Sequence, residues 1–231
     1  MRAGVRYGIL GGTFDPPHVG HLAIAQEAAA RLDLDRVWFL PAADPPHKRE
    51  RGLTAARHRA AMVEAAIADN PRFALDRTDL DRPGPSYTVD TLDILRARWG
   101  PDVWIGFITG WDMLLYLPKW HDPEGVLSRL DALIAARRPG VPEGTGATDE
   151  EESLARLEGA LPGLRARLLP LDAPRLEISS TALRERVALG LPVRYLTPDT
   201  VCSYITRWSL YRPASKPPRR TLRAVEEGGE T

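Results

Sequence analysis

Short apolar runs alternate along the chain with longer segments in which apolar residues recur every three or four positions. The short runs favour buried strands, and the 3.6-residue period favours helices packed on a sheet. Six runs predict strands at Val5–Leu10, Arg36–Pro41, Phe73–Leu80, Asp102–Thr109, Asp131–Arg137 and Arg167–Leu171. Helices are predicted at Val19–Leu32, Thr54–Ala68, Thr88–Trp99, Leu114–Leu117, Leu154–Leu161, Ser179–Leu189 and Thr197–Trp208.

The order strand, helix, strand at the start of the chain predicts a βαβ unit. A right-handed crossover makes its two strands parallel neighbours in one sheet. The run Asp102–Thr109 is the most apolar of the six and is therefore expected at the centre of that sheet. We predict an α/β fold with a parallel sheet flanked by helices, which binds ligands at the carboxyl edge of its strands.

Composition narrows the class of protein. With 231 residues, 43% hydrophobic and 27% charged, the chain can bury one core. Its 31 basic residues balance 31 acidic ones, which argues against a nucleic-acid backbone or an acidic membrane as partner. The one cysteine, Cys202, falls in an apolar helical pattern and is predicted to be a core residue. No signal segment and no apolar run of about 20 residues stand out, so we expect a cytoplasmic protein.

The stretch from Gly8 to Leu22 joins the first strand to the first helix. Gly11 and Gly12 are predicted to form a turn that passes close to a bulky anion, beside the positive end of the helix. His18 and His21 are three positions apart, so their imidazoles face one side of a helical turn and can donate to phosphate oxygens. Zinc would need a third ligand, which this pattern does not supply. We therefore interpret both histidines as charge stabilisers for phosphate.

A second pattern of this kind covers residues 176–184, L-E-I-S-S-T-A-L-R. A strand over Leu176–Ile178 is expected to enter a helix that begins with hydroxyl residues, and Arg184 follows one turn later. A guanidinium group beside a helix start suits phosphate oxygens. An ordinary capped helix would explain the hydroxyl groups, but not their pairing with the histidine motif.

Residues 8–22 resemble the G-G-T-F-D-P-x-H-x-G-H-L signature of the nucleotidyltransferases that carry a (T/H)-x-G-H motif, and most of all the bacterial nicotinate-nucleotide adenylyltransferases. The resemblance continues in P-P-H-K, S-Y-T-x-x-T-L, G-x-D-x-L, W-H, R-P-G and I-S-S-T-x-L-R, and it spans residues 5 to about 212. It implies a Rossmann-like nucleotidyltransferase domain over 1–212, helical from about 179. Residues 213–231 lack core residues and are expected to form a disordered tail.

The resemblance also assigns residues to two substrates. The catalytic pair would be His18 and His21. The implied ATP contacts are Gly11, Gly12, Thr13, Phe14, His18, His21, Ser180, Thr181 and Arg184. The implied contacts to nicotinate mononucleotide are Lys48, Thr88, Gly110, Asp112, Trp120 and Arg138. The sequence departs from the family at Trp111, where a small residue is common.

Three of the acceptor residues have a second interpretation. Lys48 is either a phosphate contact or a solvated lysine. Thr88 is a contact near the nicotinate carboxylate, a helix cap, or both. Trp120 is a platform for the pyridine ring, where stacking adds about 0.5–1.5 kcal/mol beyond area burial, or a plain core residue.

The implied reaction is adenylyl transfer from ATP to nicotinate mononucleotide in NAD biosynthesis, with Mg²⁺ carried on ATP. The mononucleotide phosphate is already ionised near neutral pH, so no side-chain nucleophile is needed. Two alternatives stay open: the same chemistry on another acceptor, such as nicotinamide mononucleotide or phosphopantetheine, and a non-catalytic nucleotide sensor. ATP and the mononucleotide are the expected partners, together with a possible homo-oligomer.

Overall fold

A computed structural model describes residues 4–43, 53–136, 147–174 and 176–212. Its strands are β1 (Arg6–Gly12), β2 (Arg36–Pro41), β3 (Phe73–Leu75), β4 (Trp104–Gly110), β5 (Ala132–Ala136) and β6 (Leu168–Leu171). The longer helices are α1 (Val19–Arg31), α2 (Ala56–Ile67), α4 (Thr88–Trp99), α7 (Ala147–Ala160), α9 (Ser180–Ala188) and α10 (Asp199–Arg207). The shorter ones are α3 (Thr78–Asp81), α5 (Trp111–Tyr116), α6 (Pro123–Arg129) and α8 (Leu164–Arg167), and a 3₁₀ turn covers Leu117–Lys119.

The six strands form one parallel sheet in the order β3-β2-β1-β4-β5-β6, which confirms the predicted α/β class. The most apolar run lies near the centre, as predicted, because β4 pairs with both β1 and β5. The chain reverses its winding between β1 and β4. In sheets of this order, ligands bind outside the carboxyl ends of the two strands at the reversal. Here those ends are Gly12 and Gly110.

Each face of the sheet is covered by its own hydrophobic cluster. Successive strand residues point to opposite faces, so Leu10 packs with α1, α2 and α10, whereas Ile9 packs with α4, α6 and α8. Both side chains are buried. Burial on both faces explains why the strands read as continuous apolar runs rather than as alternating ones.

Gly11 and Gly12 are the last residues of β1, so the prediction that they form a turn was wrong. Neither has a positive φ. A Cβ on Gly11 would lie 2.9 Å from the Phe107 ring, and one on Gly12 would lie 3.0 Å from the Phe14 ring. The two glycines are therefore needed to make room for two aromatic side chains at the end of the strand.

The strand predicted at Phe73–Leu80 ends at Leu75, and the helix α3 follows it. The cause is Asp76, whose carboxylate accepts a hydrogen bond from the Thr78 amide at 2.8 Å. The same carboxylate pairs with Arg98 at 2.7 Å. A carboxylate that accepts from the amide two residues ahead forms a turn, which ends the extended run.

Two predicted helix caps are also wrong. The helix α2 begins at Ala56 with Ala55 at its N-cap, and α4 begins at Thr88 with Tyr87 at its N-cap. Neither N-cap makes a side-chain cap bond. Thr88 is thus the first helical residue rather than the N-cap. Thr54 precedes the N-cap of α2, and its amide donates to Asp15 while its carbonyl accepts from Arg59.

Other boundaries differ further along the chain. The helix α7 begins at residue 147 rather than at Leu154, consistent with the acidic residues Glu150 to Glu152 near its start. The sequence of residues 141–153, which is rich in Gly, Pro, Thr and acidic residues, predicts an exposed loop, but residues 147–153 belong to α7 and residues 141–146 lie outside the described residues. Residues 176–178 form no strand, and Cys202 is half-buried rather than a core residue. None of the described helices is long and apolar enough to cross a membrane.

Candidate active site

The loop from Thr13 to Pro17 leaves the carboxyl end of β1 and is packed inward. The Phe14 ring is 1% exposed, in a residue with φ of 50°, and Asp15 is 2% exposed. The Asp15-Pro16 peptide bond is cis. The side chains of Phe14 and Asp15 therefore pack into the protein interior, beneath the backbone of the loop.

The C-terminal part of the chain is hydrogen-bonded to the backbone of this loop. Three consecutive loop carbonyls accept hydrogen bonds from it: Asp15 from Arg184 Nη1 at 2.8 Å, Pro16 from Ser180 Oγ at 2.8 Å, and Pro17 from Thr197 Oγ1 at 2.7 Å. The Val19 amide, at the start of α1, also donates to the Leu196 carbonyl at 3.1 Å. The two motifs that the sequence pairs by chemistry are therefore in direct contact, although Pro16 and Ser180 are 164 residues apart.

His18 and His21 face the same side of the first turn of α1, as their spacing predicted. Their rings stack with centroids 3.6 Å apart and planes at 26°. The His18 amide donates to His21 Nδ1 at 3.1 Å, which caps the helix start. Because Nδ1 accepts this hydrogen bond, the neutral His21 ring carries its proton on Nε2. That nitrogen is the donor that His21 can offer to a ligand.

Two neighbours fix the orientation of this histidine pair. The Phe14 ring meets His21 edge to face, with centroids 5.0 Å apart. Gly20 lies against His18, because a Cβ at that position would come within 3.1 Å of the His18 Nδ1 atom. The glycine between the two histidines is therefore a packing requirement of the His18 ring.

The Asp15 carboxylate lies in a buried polar cluster that the sequence analysis missed. One oxygen accepts from the Thr54 amide at 3.1 Å, and the other accepts from the Tyr211 hydroxyl at 2.7 Å. Burial raises the pKa of Tyr211, and the negative charge of Asp15 raises it further, so this hydroxyl stays a donor. The sequence feature that could have revealed this cluster is the acidic residue Asp15 between Gly12 and His18.

Arg59 is the second residue that the sequence analysis missed. It is 1% exposed, and burial lowers its pKa while the charge of Asp15 opposes that shift. Its guanidinium group donates to three carbonyls: Thr13 at 2.8 Å, Thr54 at 2.9 Å and Ala43 at 3.1 Å. A basic residue on the apolar stripe of α2, in register with Met62, Val63 and Ala66, was the signal that could have revealed it.

The predicted ATP residues come together around the first loop. Gly11, Gly12, Thr13, Phe14, His18 and His21 are contiguous with it, while Ser180, Thr181 and Arg184 approach from α9. Ser179 caps α9 by accepting from the Ala182 amide at 3.1 Å, and the exposed Thr181 hydroxyl accepts from Arg184 at 3.2 Å. Phe14 differs from the expectation, because its side chain is buried beneath the loop and supports His21.

Four of the six predicted acceptor residues are described: Thr88 lies at the start of α4, and Gly110, Asp112 and Trp120 lie at the end of β4 and in the segment that follows it. Gly110 ends β4 and is the N-cap of α5, in whose first turn Asp112 is exposed. Trp120 packs edge to face on Phe107, with centroids 5.8 Å apart. Phe107 also fills the space above Gly11, so one ring connects the two predicted substrate regions. The Trp120 indole nitrogen is buried and makes no hydrogen bond within the described part of the chain.

The start of α4 faces the segment after the 3₁₀ turn. Tyr87 stacks on His121, with centroids 4.2 Å apart and planes at 26°. The half-buried Thr88 directly follows Tyr87 in the sequence, and Trp120 directly precedes His121, so both residues adjoin this stack. The predicted contacts Lys48 and Arg138 lie outside the described residues.

The donor set suits phosphate rather than a protein-bound metal ion. No group of three or more His, Cys, Asp or Glu residues within the described ranges could hold a metal ion. Imidazole N–H, hydroxyl and guanidinium groups beside two helix starts instead match a polyphosphate.

Comparison with known proteins shows the family of the chain. Residues 9–186 match the Cytidylyltransferase-like family. The chain is 45% identical over 207 residues to a probable nicotinate-nucleotide adenylyltransferase of Roseiflexus castenholzii, over 90% of this chain and 98% of that protein. It is 40% identical over 206 residues to the nicotinate-nucleotide adenylyltransferase of Bacillus subtilis, over 89% of this chain and 98% of that protein.

Solved structures share the fold. The Plasmodium falciparum nicotinic acid mononucleotide adenylyltransferase complexed with NaAD superposes with a TM-score of 0.68 at 20% identity, covering 90% of this chain and 97% of that chain. The same enzyme complexed with APC gives a TM-score of 0.66. The histidine loop on a parallel sheet and the identity to curated relatives over nearly their full length lead to one conclusion: the chain belongs to the family of nicotinate-nucleotide adenylyltransferases.

Proposed function

We propose that the protein transfers the adenylyl group of ATP to nicotinate mononucleotide, giving nicotinate adenine dinucleotide and pyrophosphate, as a step of NAD biosynthesis. The observation that carries this proposal is the stacked pair His18 and His21 at the carboxyl edge of the sheet. The names of the curated relatives and the NaAD-bound structure of a fold relative support the choice of substrate.

The chemistry needs alignment and charge neutralisation. An oxygen of the mononucleotide phosphate attacks the α-phosphorus of ATP, and the bond from that phosphorus to the α–β bridging oxygen breaks. Pyrophosphate leaves with the electron pair of that bond. The attacking oxygen is already ionised, so no residue has to remove a proton from it. Fixed donors aimed at the phosphate oxygens then supply the stabilisation of the transition state.

Each donor has a distinct part in this proposal. His21 donates from Nε2 to the α-phosphate, and His18 stacks beside it to stabilise the departing pyrophosphate. Arg184 has five N–H donors, so its contacts to Asp15 and Thr181 leave others for the β and γ phosphates. The Ser180 hydroxyl proton is held by Pro16, so this residue acts through its amide at the start of α9.

Mg²⁺ belongs to this proposal as an ion carried by ATP. Asp15 is the buried carboxylate of the histidine loop, and its two oxygens accept hydrogen bonds from the Thr54 amide and the Tyr211 hydroxyl. The ion would therefore take its oxygen ligands from the ATP phosphates and from water. When bound, it neutralises part of the polyphosphate charge.

The acceptor would lie between the start of α4 and the end of β4. Trp120 offers an indole to the pyridine ring, Thr88 and its helix start meet the nicotinate carboxylate, and Gly110 and Asp112 meet the ribose. Lys48 stays a predicted phosphate contact, and Arg138 stays a predicted contact to the mononucleotide. A hydrogen bond to a charged group contributes about 1.5–3 kcal/mol, so the acid should exceed the amide by roughly 10- to 100-fold in kcat/KM.

The test is purified protein with Mg²⁺-ATP and, in separate reactions, nicotinate mononucleotide, nicotinamide mononucleotide or phosphopantetheine. Pyrophosphate release and the adenylylated product are measured together, and ATP binding is measured by calorimetry. We expect dinucleotide from both mononucleotides, with the acid preferred. Equal efficiency would contradict the assignment of the acceptor pocket. Turnover only with phosphopantetheine would identify another acceptor, and ATP binding without any turnover would identify a nucleotide sensor.

A further inference from the structure

Arg59 lies buried where three connecting segments at the edge of the sheet meet. It is a buried cation, and burying a charge is costly unless hydrogen bonds compensate for it. All three of its described partners are backbone carbonyls in connecting segments at the carboxyl edge of the sheet: Thr13 after β1, Ala43 after β2, and Thr54 before α2. One guanidinium group thus bonds three connecting segments at once.

The contacts of Arg59 continue toward the acceptor side. Ala43, whose carbonyl accepts from Arg59 at 3.1 Å, donates its own amide to Ser86 Oγ at 3.0 Å. Ser86 stands two residues before Thr88, the first residue of α4. On the other side, Arg59 Nη1 reaches the Thr13 carbonyl at 2.8 Å. The hydrogen bonds therefore run from the ATP loop to the helix start that would meet the acceptor.

The ATP end of this path is held rigidly. Thr54, which accepts from Arg59 through its carbonyl, donates its amide to Asp15 at 3.1 Å. Thr54 is thus bonded to Arg59 through its carbonyl and to Asp15 through its amide. Thr13 is linked to Thr54 and Ala43 through Arg59, and Asp15 is bonded to Thr54 directly, so a shift of the loop reaches Ala43 through these hydrogen bonds.

We propose that Arg59 is a positioning residue that couples the two substrate subsites through Ala43 and Ser86, so that filling one subsite favours binding in the other. This inference rests on the proposed function, because it takes the start of α4 as part of the acceptor subsite. Arg59 itself touches neither substrate. Its effect is to transmit the position of the ATP loop to the start of α4.

The experiment measures coupling directly. Isothermal titration calorimetry gives the Kd of nicotinate mononucleotide with and without a saturating ATP analogue that has a methylene group between the α and β phosphorus atoms, with Mg²⁺ present. The ratio of the two Kd values is the coupling factor. Typical coupling between sites is about 5- to 150-fold, and we expect the wild type to lie in this range. By linkage, the mononucleotide should tighten analogue binding by the same factor.

Two variants break the path at different points. Ser86→Ala removes the acceptor of the Ala43 amide, and Arg59→Lys keeps the positive charge but cannot reach three carbonyls at once. Both should bring the coupling factor close to one. Arg96→Lys is the matched control, because Arg96 also donates to carbonyls, those of Val103 and Arg129, but before β4 and at the end of α6. It should keep the wild-type factor.

The outcomes separate this inference from the proposed function. A wild-type factor of one, or a wild-type factor in Ser86→Ala, would overturn the coupling role. If Arg59→Lys does not fold, Ser86→Ala decides alone. A purely structural role for Arg59 would lower thermal stability while leaving the coupling factor unchanged, which also overturns the inference. A wild type that binds no mononucleotide would instead overturn the proposed function, and this inference with it.

Discussion

The two predicted substrate regions are built differently. The histidine loop after β1 is held on every side: its side chains at Phe14 and Asp15 are nearly fully buried, and three of its carbonyls accept bonds from the C-terminal part. The region after β4 is more exposed. Leu114 and Leu117 are buried in the core there, Trp120 packs on Phe107 and His121 stacks on Tyr87, but Tyr116 is 53% exposed and Asp112 is exposed as well.

The difference matches what each region has to do. Donors aimed at developing charge lose effect when they are misplaced by about 1 Å, so the region that handles ATP benefits from rigid support. The acceptor region must admit a second molecule and release a larger product. Segments with few buried contacts open at low cost in free energy. We expect changes in the first region to affect kcat and changes in the second to affect acceptor use.

The largest effect is expected at His21. His21→Asn keeps an acceptor for the His18 amide but removes the donor at Nε2, so kcat should fall by about 10²–10³, as for other donors to developing charge. His21→Gln places an amide donor further out and should lose less. His18→Ala and His21→Ala should lower kcat by similar factors, also about 10²–10³. Pyrophosphate release at saturating substrates gives kcat, and thermal melting checks the fold.

His58→Ala is the control for these variants. His58 lies on α2 and bonds the Tyr204 hydroxyl at 3.0 Å, in a contact that the proposed site does not include. It should leave kcat unchanged. Turnover near wild type in a folded His21→Asn protein would contradict the assigned role of Nε2.

The second effect tests the more exposed region. Trp120→Ala should lower kcat/KM for both mononucleotides by roughly tenfold, through lost stacking and lost apolar contact, while the KM for ATP stays unchanged. Trp120→Phe should keep most of the activity, because the indole nitrogen has no hydrogen bond to lose among the described residues. Steady-state kinetics with each substrate varied in turn provides the measurement.

Trp99→Ala is the matched control. Trp99 is also half-buried and packs on Tyr7 and Trp38 near the amino ends of the strands. Its loss should lower the melting temperature without a change in either KM. A defect of Trp120→Ala confined to ATP affinity would show that this side chain does not serve the acceptor.

An effect of similar size separates activity from stability in the first region. Gly20→Ala places a Cβ 3.1 Å from the His18 ring, which must shift by a few tenths of an ångström. We expect kcat to fall by roughly tenfold. The melting temperature should not fall in parallel, because Ala is the better helix former. Gly159→Ala, on α7 with open space around it, should raise stability and leave kcat unchanged. Equal kcat in both variants would refute the packing role of Gly20.

The smallest effect on rate tests the support of the loop. Thr197→Val removes the buried hydroxyl that donates to the Pro17 carbonyl at 2.7 Å. An unsatisfied buried acceptor costs about 1–3 kcal/mol, which for a chain of this size lowers the melting temperature by roughly 2–10 °C. We expect kcat to change little, since the other two carbonyls keep their donors. Thr200→Val, whose hydroxyl bonds Ala65 near the surface, should cost less. An unchanged melting temperature in Thr197→Val would argue against this support.

The sequence alone was enough for the features that depend on local spacing. The three-residue separation of His18 and His21 placed both rings on one side of a helical turn, because the helical period is a local property. The long apolar run near residue 105 indicated a strand buried on both faces, and β4 lies in the interior of the sheet. Helix ends were less predictable: α2 begins after Ala55 and α4 after Tyr87, neither of which has a capping side chain, and the backbone of Thr54 is bonded to Asp15 and Arg59.

The tertiary structure decided the features that depend on distant contacts. Gly11 and Gly12 are needed for the rings of Phe107 and Phe14, and no local rule pairs residue 11 with residue 107. The role of Arg59 was not predictable, because its three carbonyl acceptors lie in segments that only the fold brings together. Hydrogen-bond partners separated by many residues are set by how the whole chain packs, because a buried polar group must find its partner in whichever segment the fold brings to it. Periodicity therefore predicts which face of an element is buried, and only the assembled fold determines what that face contacts.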